Sequence, residues 1–158
     1  MSKPSQTFQA SVLDRLIDHE PDNSRESARY RVASFRQIMA AVRRDLENLL
    51  NTRRSIIIPP AAYGEVNTSF FVYGLPDYTS KNPSTLSVQS QLRLEIEKTI
   101  ARFEPRLKRV AVEVDSPEGT NRHLTFRIAG ILVVDELAEP VTFNTTFDSN
   151  RSTYSIKK

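Results

Sequence analysis

A chain of 158 residues, 39% hydrophobic and 26% charged, can enclose one core and has the make-up of a folded domain, not of a disordered tail. It contains no cysteine and only two histidines, His19 and His123, which excludes disulfides and thiol chemistry and argues against a zinc or other metal centre. The net charge of +3 hides a gradient: residues 1–24 carry two basic and four acidic side chains, residues 25–54 eight basic and three acidic.

The first expected element is a short helical arm over SVLDRL, where Val12, Leu13 and Leu16 have helical spacing and His19–Glu20–Pro21 ends the run. Residues 1–24 are assigned to this arm and residues 25–158 to a single domain. Its first element is a long amphipathic helix over 25–50, capped by Ser24. Val32, Phe35, Ile38, Val42, Leu46 and Leu49 recur at steps of three and four, with Arg25, Arg29, Arg36, Arg43 and Arg44 on the polar side. Ile56, Ile57 and Ile58, stopped by Pro59–Pro60, are expected to form a buried connector. Asn67 or Thr68 should cap one helical turn over residues 69–72, with Gly74 at positive φ and Pro76 unable to continue the turn. A second helix follows from Ser84 through Val88, Leu92, Ile96, Ile100 and Phe103, and Pro105 closes it.

Beyond Pro105 the period changes to two. Val110, Val112 and Val114 mark a strand, SPEGTN a hairpin loop, and Leu124 to Val134 a central strand whose two faces both turn apolar near its end. Val141, Phe143, Thr145 and Phe147 alternate on one inward face of another strand. Asp148–Ser149–Asn150 then turn the chain toward a short terminal strand at Tyr154 and Ile156. Helices followed by antiparallel strands give an α+β fold, with N-terminal helices packed on a small C-terminal sheet.

Chemistry is sparsely signalled. There is no GxSxG elbow, P-loop or GxGxxG, and four glycines supply little for cradling phosphates. A glycosidase needs two carboxyls about 5–9.5 Å apart with one holding its proton. The arginine at Arg106 favours the charged form of Glu104 instead. The basic block of residues 25–54 lacks any accompanying nucleic-acid-binding motif and is better explained as a solvated helix face. A chain with no catalytic residues, cofactor or metal is therefore expected, with peptidoglycan hydrolysis the main alternative and nucleic-acid binding a weaker one. No apolar run approaches the roughly 20 residues that span a bilayer. The start MSKPSQTFQASVLDRL also lacks the apolar stretch of a secretory signal, so a cytoplasmic location is expected.

Six separated stretches carry a resemblance. SVLDRL, DLENLLNTR (Asp45–Arg53), YGLPD (Tyr73–Asp77), FEPRL (Phe103–Leu107), LTFRI (Leu124–Ile128) and EPVTFNTTFD (Glu139–Asp148) follow one another as in the gene-25-like baseplate wedge proteins of contractile phage tails, and in particular the TssE-like subunits of bacterial type VI secretion. The resemblance covers about residues 10 to 148. It implies a non-catalytic subunit of a cytoplasmic baseplate on the inner-membrane side, held in a wedge with TssF, TssG and TssK where the sheath of TssB and TssC begins to polymerise. The family's lysozyme-related label would imply muramidase activity, for which these residues give no support.

The resemblance also gives meaning to FEPRL. On residue types alone the stretch is either a helix stop with solvated charges or a docking element; in the family the triplet binds partners, which carries over to Glu104, Pro105 and Arg106. The proline fixes the direction of the chain, and the guanidinium can make a planar two-pronged contact with a partner carboxylate. Leu49, Leu50 and Leu75 are expected in the core, with Asn51 and Asp77 as turn-formers. Thr142, Asn144 and Thr146 should point to the polar side of their strand. Together with Thr145 they mark an edge that lysine and proline leave unguarded and that could template the first sheath ring by strand addition.

Overall fold

The computed structural model describes residues 7–9, 11–17, 32–78, 81–82, 85–115, 123–148, 151 and 153–157. The expected cap at Ser24, the stop at residues 19–21, the loop at 116–121 and the turn residues Ser149 and Asn150 lie outside them. The chain divides into two units, Met1–Arg44 and Asp45–Lys158.

In the first unit, strands β1 (Thr7–Gln9) and β2 (Val32–Ser34) pair antiparallel, with Phe8 opposite Ala33. Between them lies helix α1 (Val12–Leu16), where the sequence places the arm. The Ser11 hydroxyl caps it by accepting from the Asp14 amide, and Asp14 pairs with Arg44 at 2.8 Å. The helix expected from residue 25 instead begins at residue 35, since Val32 belongs to β2. Ser34 supplies the start signal: its Oγ accepts from the Gln37 amide while Gln37 Oε1 accepts from the Ser34 amide at 2.8 Å, a reciprocal box that satisfies donors at both positions. A three-residue strand is too short for its period to be legible, so the sequence predicts no ladder here.

Helix α2 (Phe35–Asn51) crosses the division between the units. Its stripe is the expected one from residue 38 onward: Ile38, Val42, Leu46 and Leu49 are buried. In the second unit come helix α3 (Gly64–Thr68), a 3-10 turn over Phe70–Val72, and helix α4 (Leu86–Phe103). The residue that caps the 3-10 turn is Ser69, whose Oγ accepts from the Phe71 amide. Leu92, Ile96 and Ile100 are buried on α4 as their spacing predicts.

A four-stranded antiparallel sheet follows in the order β3 (Leu107–Asp115), β4 (His123–Val134), β5 (Leu137–Asp148), β6 (Thr153–Ile156). α4 lies against β3. The fold class is α+β, with β4 central as expected. β4 and β5 pair without a break from His123↔Asp148 to Val134↔Leu137, joined by a two-residue turn at Asp135–Glu136 in which Asp135 takes φ 51°. Leu124, Phe126, Ile128 and Leu132 from β4 and Val141, Phe143, Thr145 and Phe147 from β5 are buried.

The isoleucine run reverses its expectation. Ile56, Ile57 and Ile58 are 95%, 70% and 79% exposed. Three consecutive apolar residues present no single face to a core, and Pro59–Pro60 remove the amides that would let the run join a sheet.

Candidate assembly site

Three of the six family-like stretches, DLENLLNTR, YGLPD and FEPRL, converge in the second unit. At the end of α2 the chain leaves through Thr52–Arg53, and YGLPD docks there side by side. The Leu75 amide donates to the Thr52 carbonyl at 2.9 Å and the Arg54 amide to the Leu75 carbonyl at 2.8 Å. Gly74 makes this approach possible. Its φ is 96°, and a Cβ there would stand 2.3 Å from the Thr52 carbonyl oxygen. Leu49, Leu50 and Leu75 are buried beneath the junction, as expected.

FEPRL closes onto the same place. Glu104 caps α4 with φ −119° and ψ 79°, the non-helical geometry that a following proline imposes. The chain then turns, with the Leu107 amide donating to the Glu104 carbonyl at 3.1 Å. This brings the Arg106 guanidinium back over the Glu104 carboxylate. Nε donates to Oε1 and Nη2 to Oε2, both at 2.6 Å, and Nη2 also donates to Asp45 Oδ2 at 2.7 Å. Glu104 is only 4% exposed, while the side chains of Arg106 and Asp45 are each 26% exposed. The hydrogen bond to Glu104, partly opposed by burial, and the bond to Asp45 hold the Arg106 pKa above the usual arginine range. Tyr73 stacks edge-on against Phe103 at 5.1 Å, and burial, followed by the charges of Asp45 and Glu104, pushes its phenol pKa up.

The two charges of the triplet thus face each other and Asp45, not outward in set directions. What stays on the surface is Pro105 and the guanidinium's Nη1, which has no acceptor among the described residues. Asp45 lies within the quoted DLENLLNTR stretch, but residue types alone gave no reason to pair it with a residue 61 positions on.

Asn51 does more than form a turn. Its side-chain amide accepts from the Tyr154 N–H at 2.8 Å and donates to the Tyr154 carbonyl at 2.9 Å, occupying the outer edge of β6 like one residue of a further strand. On the opposite side of the sheet, Glu97 Oε1 accepts from the Val112 amide at 2.9 Å. Side chains from α2 and α4 therefore blunt both flanks.

The Asn51 contact also fixes which way the β5 backbone groups point. The backbone N–H and C=O of Tyr154 face away from β5, and Tyr154 lies opposite Phe147, so the amides of Phe147, Thr145 and Phe143 point to β4, and those of Thr146, Asn144 and Thr142 point the other way. The Lys157 amide donating to the Asn144 carbonyl at 2.9 Å agrees. The expected unguarded edge at Thr145 and Thr146 is thus corrected: Thr146 is covered by β6, and Thr145 is 0% exposed with its backbone turned to β4. Because β6 pairs only with residues 145–148, the open part of β5 lies earlier, at Ala138, Pro140 and Thr142. The side chains of Thr142 and Asn144 are exposed.

Among the described residues no group of three or more His, Asp or Glu could hold a metal, and no helix is long and apolar enough to cross a membrane.

The family model described as baseplate wedge protein gp25 matches residues 36–136. A chain of the solved structure "The baseplate complex from the type VI secretion system" is similar at 20% identity, over 70% of this chain and 94% of that one, with a TM-score of 0.48. No curated protein matches.

Proposed function

The chain belongs to the gp25 family of baseplate wedge proteins, and from that membership we propose that it is a non-catalytic structural subunit of a type VI secretion baseplate wedge on the cytoplasmic side of the membrane. The family match over residues 36–136 carries this reading. The proposed neighbours are the wedge subunits TssF, TssG and TssK and the sheath proteins TssB and TssC.

Two surfaces serve assembly in this reading. At the first, the Glu104–Arg106–Asp45 clasp holds Pro105 and the free Nη1 of Arg106 rigidly at the surface, where Nη1 can donate to a partner carboxylate without reordering a long side chain. The second is the open stretch of β5, where Ala138 and Thr142 direct backbone donors outward and Thr142 and Asn144 present polar side chains to an added strand.

Co-purification of the full chain with the wedge subunits tests the assembly role. Clearing of purified cell walls by the wild type, abolished by a carboxylate-to-amide change, would overturn it. For the strand surface the test is Thr142→Pro, which removes an outward amide and leaves the β4–β5 ladder intact. A cooperatively melting variant should assemble wedges but few sheaths. Normal sheath numbers would place polymerisation on another surface.

A further inference from the structure

Alongside the exposed isoleucines lies a groove of about 250 Å³. One wall is Ile57, Ile58 and Pro59; the other is α4, with Lys98, Arg102 and Phe103. The volume falls below the roughly 300–1,000 Å³ of pockets that enclose a small molecule, and suits one or two side-chain anchors of a polypeptide. Arg54 and Glu95, which also line the groove, pair with each other at 3.4 Å and offset each other's charge. Lys98 and Arg102, one helical turn apart, are both exposed and have no ion-pair or hydrogen-bond partner among the described residues. Arg102 in the last turn of α4 complements the helix dipole, but Lys98 lies a turn deeper and gains little from it. Phe70, 86% exposed, lies 5.8 Å from the Tyr73 ring, which in turn packs on Phe103 of the groove at 5.1 Å. Exposed apolar side chains beside two cations that have no partner among the described residues mark a surface suited to a partner.

We propose that this groove docks an acidic amphipathic segment of a neighbouring baseplate subunit, an apolar anchor entering between Ile57, Ile58 and Phe103 with two carboxylates reaching Lys98 and Arg102. Those cations stand about 6 Å apart along the helix axis. That spacing matches carboxylates at i and i+4 of a helix or at i and i+2 of a strand. The inference rests on the assembly role proposed above and adds the contact chemistry.

The test places a photo-crosslinking amino acid at Ile57 in the full chain, illuminates assembled baseplates, and sequences the crosslinked segment. The expected product is a stretch of another baseplate subunit carrying at least two Asp or Glu residues around an apolar anchor. Lys98→Glu with Arg102→Glu should lower its yield roughly tenfold or more, and reversing the partner's carboxylates to lysine should restore it. Both substitutions are on exposed positions, so the melting temperature should not move; if it does, Lys98→Ser and Arg102→Ser replace them with the same expected loss. Three results overturn the proposal: a crosslink indifferent to the charge reversal, a crosslink to a second copy of this chain, or a crosslinked segment without carboxylates. If the wedge co-purifies normally while any of these occurs, the groove inference alone fails. If the chain co-purifies with no baseplate subunit, the assembly role fails with it.

Discussion

The joint at Glu104–Arg106 and the connector at Ile56–Ile58 invert each other. In the joint, a carboxylate is almost wholly buried because a guanidinium meets both of its oxygens. In the connector, three isoleucines lie open to solvent. Burial follows from what can be satisfied, not from residue type: a charge enters when a rigid turn delivers its partner, and an apolar run stays out when neither helix nor ladder can turn it inward. The joint spends its polar groups on the fold itself. The connector leaves its apolar groups for something else to cover.

The sharpest way to break this comparison is Arg106→Ala, which leaves the Glu104 carboxylate buried and unpaired. A cost of about 3 kcal/mol is expected, at the low end for a buried pair because Arg106 and Asp45 are partly exposed. The measurement is the urea midpoint at unchanged slope. A midpoint equal to wild type would mean the triplet is an ordinary solvated helix stop. The outcome also separates the brace from the docking role, since a variant that stays folded but fails to assemble points to Nη1.

The sequence made some of this legible and hid the rest for identifiable reasons. Helical stripes at Ile38–Leu49 and Leu92–Ile100 were visible because a 3.6-residue period survives over several turns. Gly74 was visible because the turn before Pro76 needed a residue free of the left-handed penalty. The clasp was not, since Asp45 and Arg106 meet only once α4 and the end of α2 are in place. The β5 edge was misplaced by a few residues because its alternation fixes the faces of a strand but not which backbone amides pair with which neighbour. That information came from Asn51, whose role depends on a contact 103 residues away.

Asn51 gives the next largest effect. Asn51→Ala strands the N–H and C=O of Tyr154 at the edge of β6, and should cost about 2 kcal/mol. Amide exchange at Tyr154 should accelerate before that of Phe126 on the central strand. Equal acceleration at both would mean that Asn51 acts on the whole sheet and not on its edge. A smaller effect of opposite sign is expected at Thr145, whose buried Oγ1 has no hydrogen-bond partner among the described residues. Thr145→Val keeps the shape and removes the unsatisfied hydroxyl, so thermal and urea melts should show a gain of up to about 1 kcal/mol. A loss would mean the hydroxyl has a bridging water.

The smallest effect on stability belongs to the connector, and its smallness is the point. Ile57→Ser and Ile58→Ser change side chains that are already mostly in water, so each should shift unfolding by less than about 0.5 kcal/mol. A larger loss would show that the run packs in solution and that the contrast with the joint is false. If stability holds, the change should appear in association instead. The double variant should bind less of a fluorescent dye that reports exposed apolar surface, remain soluble to higher concentration, and recover fewer wedge partners on co-purification. Charge reversal at Lys98 and Arg102 should reduce partner recovery without altering dye binding, since it leaves the apolar wall in place. Loss of recovery in both variants with stability unchanged means that apolar and cationic parts of one surface act together; loss in the isoleucine variant alone would assign the contact to hydrophobic burial without charge recognition.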